Sequence, residues 1–268
     1  KMQNKKLADI GVFGGSGFYK FLDNIEEVRI ETPYGAPSDS VFIGEIGKHK
    51  VAFMPRHGRN HTLPPHLINY RANVWAMKSI GCERVISPCA AGSLQTHVAP
   101  GHFVICDQFV DWTDGRKSTF FDGPIVTHVS AANPYCEEMR QLAVATAKEL
   151  GITVHETGTV VVINGPRFST KSESKFFTSQ GWEVINMTQF PEAYLVKEMD
   201  MCPLNISLIT DYDAGLVGEV PPVQHAEVIK VFNDNNEKLK ALLFNLIEKL
   251  PVERTHCDCA KTIAGSRV

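Results

Sequence analysis

The 268-residue chain has no apolar stretch approaching the roughly 18 residues needed to cross a bilayer. Its opening, KMQNKKLADI, carries charge without an apolar signal region. Neither a membrane span nor a secretory leader is expected, and the chain reads as cytoplasmic. Positive charge is not in excess: 27 Lys and Arg against 30 Asp and Glu leave a net charge of −3 with no basic run. Nucleic acid is therefore not an expected partner. Internal repeats, low-complexity segments and Gly/Ser linkers are missing, so one domain is expected over residues 1–250, followed by a loose tail over 251–268. Cysteine is scarce and odd in number, seven, which does not make a secreted disulfide framework. Most of these thiols read as small buried hydrophobes. The exception is the CDC motif, Cys257 to Cys259. Two thiols this close could bind metal or cycle redox, but no second cysteine pair or histidine cluster stands at ligand spacing, and His256 is alone. No metal is expected, and a redox or disulfide role is favoured over one.

What is present is an alternation. Hydrophobic residues make up 43% of the chain and charged ones 21%, enough for an ordinary globular core. The β-rich runs VAFM (51–54), RVIS (84–87), FVIC (103–106), TVVVI (159–163), EVIN (183–186) and LNISLIT (204–210) alternate with segments of helical period. A largely parallel sheet flanked by helices follows. Met139, Leu142, Ala143, Ala147 and Leu150 share one helical face, which Gly151 stops. From about Ala226 a second stripe runs through Val228, Val231, Phe232, Leu239, Leu242, Leu243 and Leu246.

Pro/Gly-bearing loops follow several strands: PRHGRNHTLPP (55–65), PCAAGSL (88–94), NGPRFST (164–170) and TDYDAG (210–215). Ligands in open α/β sheets sit where loops leave the carboxyl ends of strands, so these are the candidate site. The first glycine loop, IGVFGGSGFY, lacks the third glycine of a dinucleotide fingerprint. A phosphate reading fits better. Ser16 offers a hydroxyl beside flexible backbone donors, Arg56 with His57 ends a strand, and Ala90 lies in a small-residue turn. Arginine can grip two oxyanion oxygens at once. Thr188 precedes a segment in which Pro191 suits a first helical turn. A capped turn or a solvated arginine is the alternative at each of these positions. The second constellation is apolar and acidic: Phe168, Met187, Asp211 and Asp213 suggest a flat heterocycle gripped at its polar edges. The carboxylates could equally cap a helix or pair with lysine. One facing ring N7 could deliver a proton as that nitrogen gains electrons.

The motifs GGSG, RHGRNH, INYRANVWAMK, AAGSL, GPRFST, INMT, PEAYLVKE and TDYD occur in this order. Over about residues 8 to 250 the chain thereby resembles the 5′-methylthioadenosine phosphorylase branch of the trimeric purine nucleoside phosphorylases. The resemblance implies an α/β fold of twisted mixed sheet with a distorted barrel-like centre and surrounding helices, assembled as a homotrimer or a dimer of trimers. It implies phosphorolysis: phosphate displaces the purine from the anomeric carbon, giving free base and a ribose 1-phosphate, with no metal or organic cofactor. By motif, Ser16, Arg56, His57, the Ala90 amide and Thr188 would hold phosphate. Met187 would lie against the ribose and Phe168 on the purine, with Tyr212 beside them. Asp211 and Asp213 would face N7 and the 6-amino group, and His128 would reach the neighbouring subunit's ribose. The terminal CDC is similar to tails of some archaeal members, for which a paired-cysteine role has been suggested.

Two positions depart from that family. Cys89 stands where a hydroxyl or amide side chain is usual near phosphate, and a thiol is a weak donor. His225, three residues before Val228, occupies a position that is small or apolar in the methylthioadenosine branch. In ordinary purine nucleoside phosphorylases a histidine there binds the 5′-hydroxyl. Asp211 suits a 6-amino donor, and Ser169 replaces the glutamate used for oxopurines. Methylthioadenosine first and adenosine next are the expected substrates, with inosine and guanosine phosphorolysis as the alternative. A nicotinamide-dependent oxidoreductase and a silent purine sensor are the readings from other classes.

Overall fold

In a computed structural model, which describes residues 6–15, 22, 24–215, 217 and 219–267, the β-rich runs join into one mixed sheet with helices on its faces. The strands are β1 (Ile10–Gly14), β2 (Glu26–Val28), β3 (Val41–Ile46), β4 (His49–Pro55), β5 (Arg84–Ser93), β6 (Phe103–Val104), β7 (Gln108–Trp112), β8 (Val154–His155), β9 (Thr159–Ile163), β10 (Val184–Asn186) and β11 (Cys202–Asp211). The helices are α1 (Tyr70–Ser79), α2 (Glu137–Glu149), α3 (Lys171–Ser179), α4 (Gln189–Glu198) and α5 (His225–Lys249). The strand path is β2-β3-β4-β1-β5-β10-β9-β7, with β11 added to β5, β6 to β11 and β8 to β6. Among the described residues no ladder closes this path, so the barrel-like centre is an open curl of sheet. Parallel pairs dominate around the site, β1 with β4 and β5, and β11 with β5, while β2, β3 and β10 bring antiparallel edges.

The sheet is organised around β5. Strand β11 covers one edge of it from Arg84 to Gly92. A strand has only two edges, so the other is shared: β1 pairs with Arg84–Ile86, and β10 pairs with Gly92 and Ser93. Between them this edge has no strand partner among the described residues. Backbone groups of alternate residues point to alternate edges, so Pro88 and Ala90 present theirs to the gap. Pro88 has no N–H to lose there. The segment PCAAGSL was expected as a loop after a short strand; instead β5 stays extended through Ser93, because the long β11 ladder overrides the local Pro and Gly preference.

The core lies on both faces. On one, Met139, Ala143 and Ala147 of α2 meet Leu239, Leu242, Leu243 and Leu246 of α5 over the inner strands. On the other, Val74 and Met77 of α1 and Leu195 and Val196 of α4 pack on β1, β3 and β4. The α5 stripe is only half realised, since Val228, Val231 and Phe232 are half-buried and full burial starts at Leu239. Leu150 is exposed, outside the α2 face expected to contain it. The tail is docked, not loose. Arg84, fully buried, donates to the carbonyls of Val252 and Glu253, Arg254 donates to Asp200 O at 2.7 Å, and Ile263 N–H donates to the Asp200 carboxylate. Cys257 and Cys259 pack against the core beside Cys136 and Cys202, so the second cysteine pair that linear spacing does not reveal is supplied by folding.

Candidate active site

Four strand ends converge around the gap in β5. Strand β4 runs into Arg56, whose N–H donates to Gly14 O at the end of β1. The Arg56 guanidinium is buried, and Nη1 donates to Pro88 O at 3.3 Å across the gap. Nε and Nη2 grip the buried Glu192 carboxylate at 2.6 and 2.8 Å. Three of its five N–H donors are thus committed. The charge pair is neutral overall, and Glu192, one residue into the regular part of α4, fixes the plane of the fork. Sequence reasoning missed Glu192 as a partner, although its position directly after Pro191 in a first helical turn was visible.

Beside it, His57 Nδ1 lies 2.8 Å from Leu63 O. A carbonyl only accepts, so Nδ1 carries the proton and Nε2 is a bare acceptor. Burial and the adjacent Arg56 charge push the His57 pKa down to about 4, so the ring is neutral at physiological pH. The Cys89 thiol points to β10 and β11, accepting from Asn186 Nδ2 at 3.4 Å and Asn205 Nδ2 at 3.3 Å. That leaves the Ala90 backbone facing the gap. Thr188 is buried and caps nothing: α4 is irregular at Phe190, and its regular turns start at Pro191. Ser16 lies outside the described residues.

At the other end of the gap, β11 finishes in Asp211. Its Oδ2 accepts from Thr210 Oγ1 at 2.7 Å and its Oδ1 from Asp213 N–H at 2.8 Å. A side chain at Gly92 would collide with Asp211 Oδ1, since a Cβ there would sit 2.8 Å away. The glycine lets β5 pass beneath the carboxylate. Asp213 has a left-handed backbone, φ 51°, and is buried, its Oδ2 in no hydrogen bond among the described residues. Burial pushes both carboxyl pKa values up; for Asp213 the Asp211 charge adds to the rise. The Ser174 and Ser169 hydroxyls pull Asp213 the other way, although Ser169 Oγ makes no hydrogen bond of good geometry. Met187 packs over Gly165, where any side chain would strike its sulfur.

Arg116 is the residue that sequence reasoning missed altogether. It donates to Met187 O at 2.8 Å, Asn164 O at 2.9 Å, Asn164 Oδ1 at 3.1 Å and Phe190 O, and lies over the Tyr70 ring. One cation thereby ties the loop after β9 to the connection between β10 and α4. Its signal in the sequence is a lone arginine in a polar loop, which no periodicity distinguishes.

Other expected residues lie at the rim or beyond. Phe168 is exposed, Tyr212 turns its hydroxyl toward Thr96 O at 3.5 Å, and His225 is exposed at the start of α5, with Val228 half-buried one turn on. Glu227, in the same turn, is close enough to help raise the Asp211 pKa. His128 is exposed, its N–H donating to Ser266 O at 2.8 Å.

The strand ends of an open mixed sheet gather a buried cation, a neutral histidine and two carboxyls of raised pKa, an arrangement chemically suited to an anion beside a polar heterocycle. The chain belongs to the Phosphorylase superfamily, whose family model matches residues 9–248. It is 52% identical over 256 residues, 95% of this chain and 96% of the other, to the S-methyl-5'-thioadenosine phosphorylase of Thermofilum pendens. It is 48% identical to the purine nucleoside phosphorylase of Streptomyces coelicolor, over 98% and 97% of the two chains. The methylthioadenosine phosphorylase of Schistosoma mansoni, solved in complex with adenine, superposes with a TM-score of 0.90 at 32% identity, covering 97% of this chain and 98% of that one.

Proposed function

We propose that the protein transfers the pentosyl group of purine nucleosides to inorganic phosphate, with 5′-methylthioadenosine as its first substrate and adenosine its second. The observation that carries the reading is Asp213, buried, with one oxygen unpartnered and its pKa raised, at the opposite end of the β5 gap from Arg56. Phosphate would sit against the spare Arg56 donors, the Ala90 N–H, Thr188 and Ser16. His57 Nε2, which can only accept, would take the O–H of a hydrogenphosphate. A phosphate oxygen then forms its bond to the anomeric carbon as the C–N bond breaks. The leaving purine keeps that electron pair, and its N7 takes the proton held by Asp213. Asp211, with both oxygens already accepting, would hold the pair in register and face the 6-amino group. Met187 would lie on the ribose and Phe168 on the purine, the latter folding inward from its exposed position. His128 would act in a neighbouring copy of a trimer or dimer of trimers. No metal or organic cofactor takes part in this chemistry, which suits a cytoplasmic salvage enzyme. No helix among the described residues is long and apolar enough to cross a membrane.

A second reading, phosphorolysis of 6-oxopurine nucleosides, is supported by the relative named purine nucleoside phosphorylase and by His225. Base release from methylthioadenosine, adenosine and inosine, each with and without phosphate, tests both. Phosphate-dependent adenine release, fastest from methylthioadenosine, is expected. Inosine in the lead would favour the second reading, and phosphate-independent release would overturn both.

A further inference from the structure

Away from the active site, four thiols from three parts of the chain converge. Cys136 stands at the N-cap of α2, Cys202 opens β11, and Cys257 and Cys259 belong to the tail. All four Sγ atoms lie within 4.8 Å of one another. The first two are buried and the other two half-buried, and all four are free thiols. A tetrahedral zinc thiolate, with Zn–S bonds of about 2.3 Å, requires six S···S separations of about 3.8 Å. Cys202 Sγ and Cys257 Sγ are 3.5 Å apart. A second observation concerns charge. Four thiolates around a divalent ion leave a dianion, and Arg254 Nη1 lies 4.0 Å from Cys202 Sγ, well placed to offset it.

We infer that Cys136, Cys202, Cys257 and Cys259 form a closed structural site for one Zn²⁺ that clamps the tail to α2 and β11. On binding, the four thiols release their protons to solvent, the ion sheds its waters, and no electron is transferred. The clamp reaches further than its ligands. The tail it secures carries Ser266 O, which accepts from His128 N–H, and Arg267, bridged to Thr127. Metal therefore holds in place the segment that bears His128.

The test uses the full-length chain, reduced and stripped with chelator, then titrated with Co²⁺ followed by Zn²⁺. One equivalent of Co²⁺ is expected, with the charge-transfer and intense visible d–d absorption of tetrahedral thiolate coordination, bleached by Zn²⁺, and with a rise in thermal midpoint. Cys257→Ser, which alters only a half-buried tail residue, is expected to weaken Co²⁺ uptake by 10-fold or more. A reduced wild-type chain that takes up no Co²⁺, or a variant that takes up as much as the wild type, overturns the site. Because uptake is read by absorption, the outcome does not depend on the nucleoside the enzyme prefers.

Discussion

Asp213 holds a buried carboxyl with one oxygen in no hydrogen bond among the described residues, a state that costs stability, and its burial raises its pKa. The sign of its pH dependence follows from the direction of its shift. A carboxyl whose folded pKa is raised adds stability that is complete below its unfolded pKa, about 4, and lost as pH rises through the folded value. Asp213→Asn removes that loss. The variant is expected to melt a few degrees higher than wild type at pH 8, with the difference vanishing toward pH 4, as scanning calorimetry would read. In the same variant an amide can hydrogen-bond N7 but has no proton to transfer, so kcat/KM is expected to fall by about 100-fold or more and the residual rate to lose the alkaline limb that tracks the Asp213 proton. A variant with unchanged pH profile would assign the proton elsewhere. Arg56 carries the opposite lesson. Replacing it by alanine would strand the buried Glu192 charge, at a cost of about 3–5 kcal/mol, so a dead Arg56→Ala protein would say little about phosphate.

At the scale of elements, the site is an assembly of loop ends, and Arg116 is their common fastener. Arg116→Met keeps much of the side-chain bulk but frees the carbonyls at Asn164, Met187 and Phe190. Displacement of about 1 Å in a reacting group can cost about 100-fold; kcat/KM for nucleoside is expected to fall by about 10- to 100-fold. The phosphate KM should change less, because the Arg56–Glu192 pair stays intact. Equal losses for both substrates would make the residue a general scaffold. The same distinction explains what could be read in advance. Strand runs, α2 and the strand-end positions of Arg56, Asp211 and Asp213 were legible because apolar period and loop chemistry are local. The extension of β5 through Pro88 and Gly92 was not, since only the partner strand β11 imposes it. The cysteine cluster was equally hidden, because Cys136 and Cys202 are adjacent to the CDC pair only after two helices and a strand have packed. The inward turn of the Cys89 thiol depends on Asn186 and Asn205, which no spacing rule connects to it.

At the scale of the whole molecule, the surface argues for company. Ile125 and Val126, 54% and 53% exposed, lie just before His128 on one loop, and Trp112 and Phe176 are large exposed aromatics elsewhere. Light scattering is expected to return a threefold or sixfold multiple of the 29.7 kDa chain mass. Ile125→Asp is expected to yield smaller species with depressed turnover although every pocket side chain of the chain itself is retained. A fully active monomer would remove His128 from the mechanism. One further property belongs to the molecule as a whole. Pro88, which anchors the arginine, and Gly92, which lies beneath the aspartate, are four residues apart on a single continuous strand, a distance of about 13 Å at the usual rise. Under the proposed mechanism, the gauge for the two reactants would thus be the covalent pitch of one backbone, not the fit between mobile parts. Thermal breathing can loosen either bank of the gap without altering that span. A one-residue insertion in β5 would alter it at a stroke, turning the Ala90 amide to the opposite edge and leaving the two halves of the reaction out of step.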